Sequence, residues 1–138
     1  MVANTAPIFS KVPRADWAPA AVTAANTAKD GTGTVATVFT AGADGSFVQK
    51  IVIRPRGTNI ATVMRVFLNN GLTNATPANN SLIAEVGLVA TTGAEVNAII
   101  GADLPLNFPI PAGYTLFVTL GTAVAAGFSV STLGGGNY

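Results

Sequence analysis

Apolar and polar side chains alternate along much of the chain, and clusters of Gly, Asn, Asp and Pro interrupt the alternation. A period of two is the repeat of a pleated strand with one face buried, and the interrupting residues are those that turns require. Thr34 to Thr40 is rich in branched side chains, and Ala41 to Gly45 supplies turn chemistry, so the two predict a hairpin into the next segment. From Phe47 to Arg56, Phe47, Gln49, Ile51 and Ile53 fall on an inward side, and Val48, Lys50, Val52 and Arg54 on an outward one. Ile60 to Asn69 is apolar on both sides, which predicts a strand central in a sandwich or covered on its outer face by a loop or another chain. Further strands are predicted over Ser81 to Ala90, Tyr114 to Leu120 and Val124 to Leu133. Leu104 to Pro111 must be extended, and its prolines confine it to a sheet edge. Val22 to Lys29 reads as a strand or extended entry that ends at the Asp30-Gly31-Thr32-Gly33 turn, and Thr91 to Ile100 as a strand or loop. The fold class is therefore all-β: a single antiparallel β-sandwich or jelly roll of about seven or eight strands.

The ends differ from the middle. Pro7, Pro13 and Pro19, with Ile8, Phe9, Val12 and Trp17 between them, block helix and central strand alike. They predict an extended N-terminal arm over 1–21 whose apolar groups need a surface, on the parent domain, on a neighbouring copy or on a partner. The sandwich then occupies 22–133. The Gly134-Gly135-Gly136-Asn137-Tyr138 stretch, 134–138, is expected as a flexible tail. An arm of this kind is separable, so removal of residues 1–19 is expected to leave a folded domain.

Composition narrows the function. Only 9% of the 138 residues are charged, 49% are hydrophobic and the net charge is +1, so there is no polybasic field for direct nucleic-acid binding. With neither Cys nor His, the chain has no thiol nucleophile, disulfide, Ser-His triad, imidazole-ligated zinc or His-ligated haem. No cofactor is implied. A mean hydropathy of +0.50 raises the membrane question, but prolines and glycines after Asp103 break every stretch that could cross a bilayer as a helix. The opening residues lack a signal-peptide pattern, which predicts folding in the cytoplasm and no membrane partner. So neutral a surface suits permanent association with protein.

Candidate chemistry is sparse. Asp30 and Asp44 precede glycines in turns, and neither site continues into a calcium or phosphate loop. Glu85 with Glu95 or Asp103 is the one carboxylate pair that a glycosidase could use, and nothing else supports such an enzyme. Lys50, Arg54, Arg56 and Arg65 hold four of the seven basic residues on two consecutive strands. They form either a docking face for an acidic surface or a solvated face in which Arg65 pairs with Glu85 across strands.

Four stretches taken together carry a resemblance: Asn26 to Gly33, Phe39 to Gly45, Arg65 to Gly71, and Leu104-Pro-Leu with Pro111-Ala-Gly-Tyr114. They resemble the small β-sandwich decoration, or cement, proteins of tailed-bacteriophage capsids, over most of the chain from Ala21 onward. The matching residues are turns and strands and not a catalytic signature. The resemblance implies a non-enzymatic virion protein, made in the host cytoplasm, that sits on the capsid exterior and bridges subunits of the major capsid protein. It also implies self-association as a homo-oligomer, often a trimer. On this reading the capsid or neighbour contacts are Ile8, Phe9, Val12, Arg14 and Trp17 of the arm, with Lys50, Arg54, Arg56 and Arg65. The alternative is a carbohydrate- or receptor-binding β-sandwich module of a phage tail or fibre, for which Trp17, Tyr114 and Tyr138 are the polar aromatics.

Overall fold

A computed structural model of the chain describes residues 10–138. It is all-β, with two antiparallel sheets packed face to face. The strands are β1 (Val12–Pro13), β2 (Asp16–Trp17), β3 (Ala36–Thr40), β4 (Ser46–Pro55), β5 (Thr62–Asn69), β6 (Asn80–Leu88), β7 (Ala102–Ile110), β8 (Thr115–Leu120) and β9 (Phe128–Asn137). One sheet has the order β1-β9-β4-β7, with β2 also on β9, and the other the order β3-β8-β5-β6. When β1 and β2 are taken as one interrupted first strand, this is the eight-strand, double Greek-key order of a jelly roll.

Consecutive strands mostly lie in opposite sheets. Among the described residues only β5 and β6 are both consecutive and hydrogen-bonded to each other. The expected hairpin at Ala41 to Gly45 is therefore an arch: Gly45 N–H donates to Gly42 O at 3.1 Å, but β3 continues beside β8 and β4 beside β9 and β7. Turn chemistry reverses the chain in either case; which sheet receives the second strand is decided by core packing.

The alternation in β4 changes phase part-way along. Val48 and Ile51 both face the core, and the change falls where β7 is bulged opposite Gln49 and Asn107 adopts φ +53°. Phe47 and Gln49, expected inside, are thus more exposed than Val48, expected outside. The edge position predicted for Leu104 to Pro111 holds, since β7 ends its sheet and Pro105 and Pro109 lie within it.

The described residues of the arm and the last strand both enter the fold. Val12 pairs with Asn137 and Asp16 with Thr132, so the described part of the arm forms the first strand of its own domain; Ile8 and Phe9 lie outside the described residues. The closing strand is shifted from Val124–Leu133 to Phe128–Asn137, so the glycines expected as a tail lie within it. Small size is what places them there: a Cβ on Gly135 would collide with the Phe47 carbonyl and one on Gly136 with the Val12 carbonyl.

The main core joins Ile51, Ile53, Met64, Val66, Val118, Leu120, Phe128 and Val130, and a second cluster centres on Phe39, Val48, Ile110 and Leu116. β5 is buried on its outer side too, where Phe67 stacks on Phe117 with centroids 5.3 Å apart. On that side asparagine amides tie two loops together. Asn80 Nδ2 donates to Asp30 O (3.0 Å) and Asn74 O (2.9 Å), Asn74 Nδ2 to Gly33 O (2.9 Å), and Asn69 Nδ2 to Asn80 Oδ1 (2.8 Å). Uncharged amides that satisfy loop carbonyls do here what ion pairs do in more charged proteins.

Candidate functional site

The basic residues divide between the sheets. Lys50 and Arg54 project from the outer face of β4 and share Asp103 of β7, with Lys50 Nζ 3.1 Å from Oδ2 and Arg54 Nη1 2.7 Å from Oδ1. Hydrogen bonding from Arg54 and then from Lys50 holds the Asp103 carboxyl below the usual carboxylate range. Arg56 follows at the end of β4, exposed. Arg65 lies in the other sheet, because the connection after β4 crosses the sandwich, and it is buried with its Nε donating to Glu85 Oε1 at 2.8 Å. Lys50, Arg54 and Arg56 therefore share a region that Arg65 does not join. Beside Arg65, in register with it, is Thr119; Arg65 Nη1 and Thr119 Oγ1 are buried without a hydrogen-bond partner among the described residues.

The carboxylates do not converge. Glu85 is held by Arg65 in one sheet and Asp103 by Lys50 and Arg54 in the other, while Glu95 sits in the loop after β6. Among the described residues no three acidic side chains cluster to hold a metal, and no helix is long and apolar enough to cross a membrane.

One end of the sandwich is apolar and open to solvent. The loops 57–61 and 89–101 carry a single charge, Glu95, and expose Ile60, Val89, Val96 (87% accessible) and Ile100 (82%). Val89 and Ile100 line a cavity of about 220 Å³ floored by Ile53, Leu88 and Phe128. The base of the loops is tied down at Asn59 and Thr91. Asn59 Oδ1 accepts from Gly127 N–H (2.8 Å) and Ala126 N–H (3.0 Å), its amide donates to Gly127 O (3.2 Å), and its backbone exchanges hydrogen bonds with Thr91 (2.8 and 3.1 Å). Arg54 stands at the rim beside Gly101, whereas Arg56 lines a separate cavity with Trp17, Ser129 and Ser131.

A second cavity, about 480 Å³, lies open to solvent between the free edges of the two sheets, β2 on one side and β3 on the other. Arg14 bridges it: Nη1 donates to Thr40 O (2.6 Å) and Asn137 Oδ1 (3.1 Å), Nε donates to Asp16 Oδ1 (3.2 Å), and Nη2 pairs with Asp16 Oδ2. The guanidinium lies 4.5 Å over the Phe39 ring. Trp17 borders the same cavity and is 66% exposed, as is Val12, to a lesser degree, further along the edge. Sequence reasoning singled out Arg14 and Trp17 but missed Asp16, Phe39 and the exposed loop residues. The run Val96-Asn97-Ala98-Ile99-Ile100, apolar yet outside any strand, was the available signal for the loops.

Comparison of the chain with family models, with curated proteins and with solved structures finds no match.

Proposed function

We propose that this protein is a non-enzymatic structural component of a virus particle, attached to the outer surface of the capsid and bridging subunits of the major capsid protein. The observation that carries the reading is the apolar end built by loops 57–61 and 89–101, which exposes Ile60, Val89, Val96 and Ile100 beside a small apolar cavity with Arg54 at its rim. Exposed aliphatic clusters on a rigid base mark protein contacts, and an apolar centre with a polar rim is how such contacts are built. Fully burying one Val or Ile side chain is worth about 1.5–3 kcal/mol, against which the cost of association must be set. Many identical attachments on one shell then add through multivalency.

Jelly rolls serve viral capsid and lectin domains alike, so the fold is compatible with this role without selecting it. The turns that resemble capsid decoration proteins favour the virion. Lys50, Arg54 and Arg56 are the cationic contacts of this reading. The described arm, paired with its own β9, contributes through the outer edge it forms at Val12, Arg14 and Trp17. A homo-oligomer such as a trimer presents several apolar ends at once.

The test is sedimentation of the purified chain with expanded shells of the virus whose genome carries it. The expected result is saturable co-sedimentation that is lost in the double variant Val96→Glu, Ile100→Glu, whose exposed positions leave the core untouched. Wild-type chain that stays in the supernatant, and is absent from the mature particle by mass spectrometry, overturns the proposal.

A further inference from the structure

A third cavity, of about 230 Å³, opens on the outer face of the β1-β9-β4-β7 sheet. The register sets Asp16 opposite Thr132, which is buried, and Trp17 opposite Ser131. Alternation along the strand therefore turns Asp16 inward and the Trp17 side chain outward, onto the face that also carries Ser129, Ser131 and Arg56. The hollow comes from a mismatch in chain length. Ala18 N–H donates to Val130 O (3.0 Å) and Val22 N–H to Phe128 O (2.9 Å), which leaves the three residues 19–21 against the single Ser129 of β9. The surplus bulges, and Pro19 and Ala20 wall the hollow beside the two serines. The Arg56 backbone is tied in place by its N–H, which donates to Gly127 O at 2.9 Å.

Charge separates this hollow from the rest of the sheet face. Lys50 and Arg54 share Asp103, whereas Arg56 is exposed, has no acidic partner among the described residues, and meets no carboxylate in the lining of the hollow. The half-buried Ser129 and Ser131 each carry a hydroxyl that can give one hydrogen bond and accept others. The Trp17 indole is 66% exposed beside them. A ligand that satisfies these groups together brings an oxyanion to the guanidinium, hydroxyls to the serines and an apolar C–H face to the indole. From this geometry we infer that the hollow binds one acidic sugar residue, of the uronate or sialate class, with its carboxylate on Arg56, its hydroxyls on Ser129 and Ser131 and its ring stacked on Trp17. The volume lies below that of drug-sized sites and suits a single ring. A protein contact centred on an indole would surround it with apolar groups, and here the open surface beside it is chiefly polar.

Trp17 is the only tryptophan, so its emission reads the site directly. The full chain is titrated with methyl glucuronide and with N-acetylneuraminate. Methyl glucoside keeps the ring without the charge, and acetate keeps the charge without the ring. The expected result is a saturable change in emission with at least one acidic sugar, binding weaker by about tenfold or more for the glucoside, and no response to acetate. Arg56→Gln should weaken the acidic sugar by about the same factor and leave it no better a ligand than the glucoside. Trp17→Ala, a substitution at an exposed position, should abolish the sugar-induced amide shifts of residues 18, 20, 56 and 129–131 in NMR spectra while circular dichroism stays unchanged. The inference is overturned if neither acidic sugar gives a saturable response, if acetate reproduces it, if the glucoside binds as well, or if Arg56→Gln leaves it unchanged. It is equally overturned if the sugars do nothing while Trp17→Ala abolishes attachment to shells, which would make the indole a protein contact. None of the sugar measurements involves a capsid, so their failure leaves the proposed attachment standing, and failure to sediment with shells leaves the acidic-sugar site standing.

Discussion

Replacing Asn59 by Ala removes the knot beneath the apolar end. The side chain is 3% exposed and supplies the acceptor for two backbone donors, Gly127 N–H at 2.8 Å and Ala126 N–H at 3.0 Å. The bond to Gly127 is buried, so after truncation that N–H has no water to turn to, and such an orphaned donor costs about 1–3 kcal/mol. Ala126 N–H is partly buried and rehydrates more easily, so it adds less. The loss of the amide donor to Gly127 O adds a similar small amount. The expected total is about 2–4 kcal/mol, or a fall in Tm of roughly 6–12 °C at about 3 °C per kcal/mol for a domain of this length. Urea unfolding followed by circular dichroism and by Trp17 emission measures it, with Ile60→Ala, at an exposed position next door, expected within about 0.5 kcal/mol of wild type. Asn59→Asp keeps the two acceptor contacts but sets a carboxylate oxygen against the Gly127 carbonyl. Burial raises the pKa of that carboxyl, so its destabilisation is full above the raised value and is relieved as the pH falls through it. A loss below about 1 kcal/mol for Asn59→Ala, with unchanged denaturant dependence, would refute the reasoning.

Thr119→Val replaces a buried hydroxyl that has no partner among the described residues by a methyl group of similar size, and thermal unfolding is expected to show a gain of up to about 1 kcal/mol. Asp103 should titrate below an ordinary Asp in NMR spectra and return toward the usual value in Arg54→Gln; because its folded pKa is depressed, its contribution is present above the unfolded pKa and lost as pH falls through the folded one. Truncation of residues 1–19 removes β1 and β2 from β9 and with them the buried Ala18, so the expected outcome is a less stable domain that self-associates through the bared β9 edge, read by thermal melts and by sedimentation.

Most strands were legible because the period-two pattern is local: Ile51 and Ile53, or Met64 and Val66, announce an inward side wherever the strand ends up. Pairing is not local. The Ala41 to Gly45 turn has the residues of a hairpin, and nothing in them says that β3 must lie beside β8 across the core from β4. For the same reason Arg65 looked like a neighbour of Lys50 and Arg54 when it belongs to the opposite sheet. The glycines at 134–136 were misread because freedom of the isolated chain and close approach of neighbouring backbones call for the same residue. The cleft between β2 and β3 was half legible. Trp17 stands out in any reading, but Asp16 acquires its orientation from Arg14, and Arg14 from Phe39 and Thr40, more than twenty residues away.

The arm bears most directly on how such a protein could bridge a shell. An ion-poor chain with prolines near its start invites the idea of a strap that reaches outward, yet from Val12 to Trp17 the backbone hydrogen-bonds to its own last strand, and Arg14 clamps it to β3. A strap that joined a neighbour here would first have to release those bonds and uncover the edge of β9. The loops at the far end of β4 release nothing: Val96 and Ile100 are already in solvent, and Asn59 already ties the base of the loops to Thr91 and Gly127. Attachment through a surface ordered in advance avoids the entropy of ordering a segment at the moment of contact. Weak individual contacts of that kind are enough when an oligomer presents several of them to a repeating lattice.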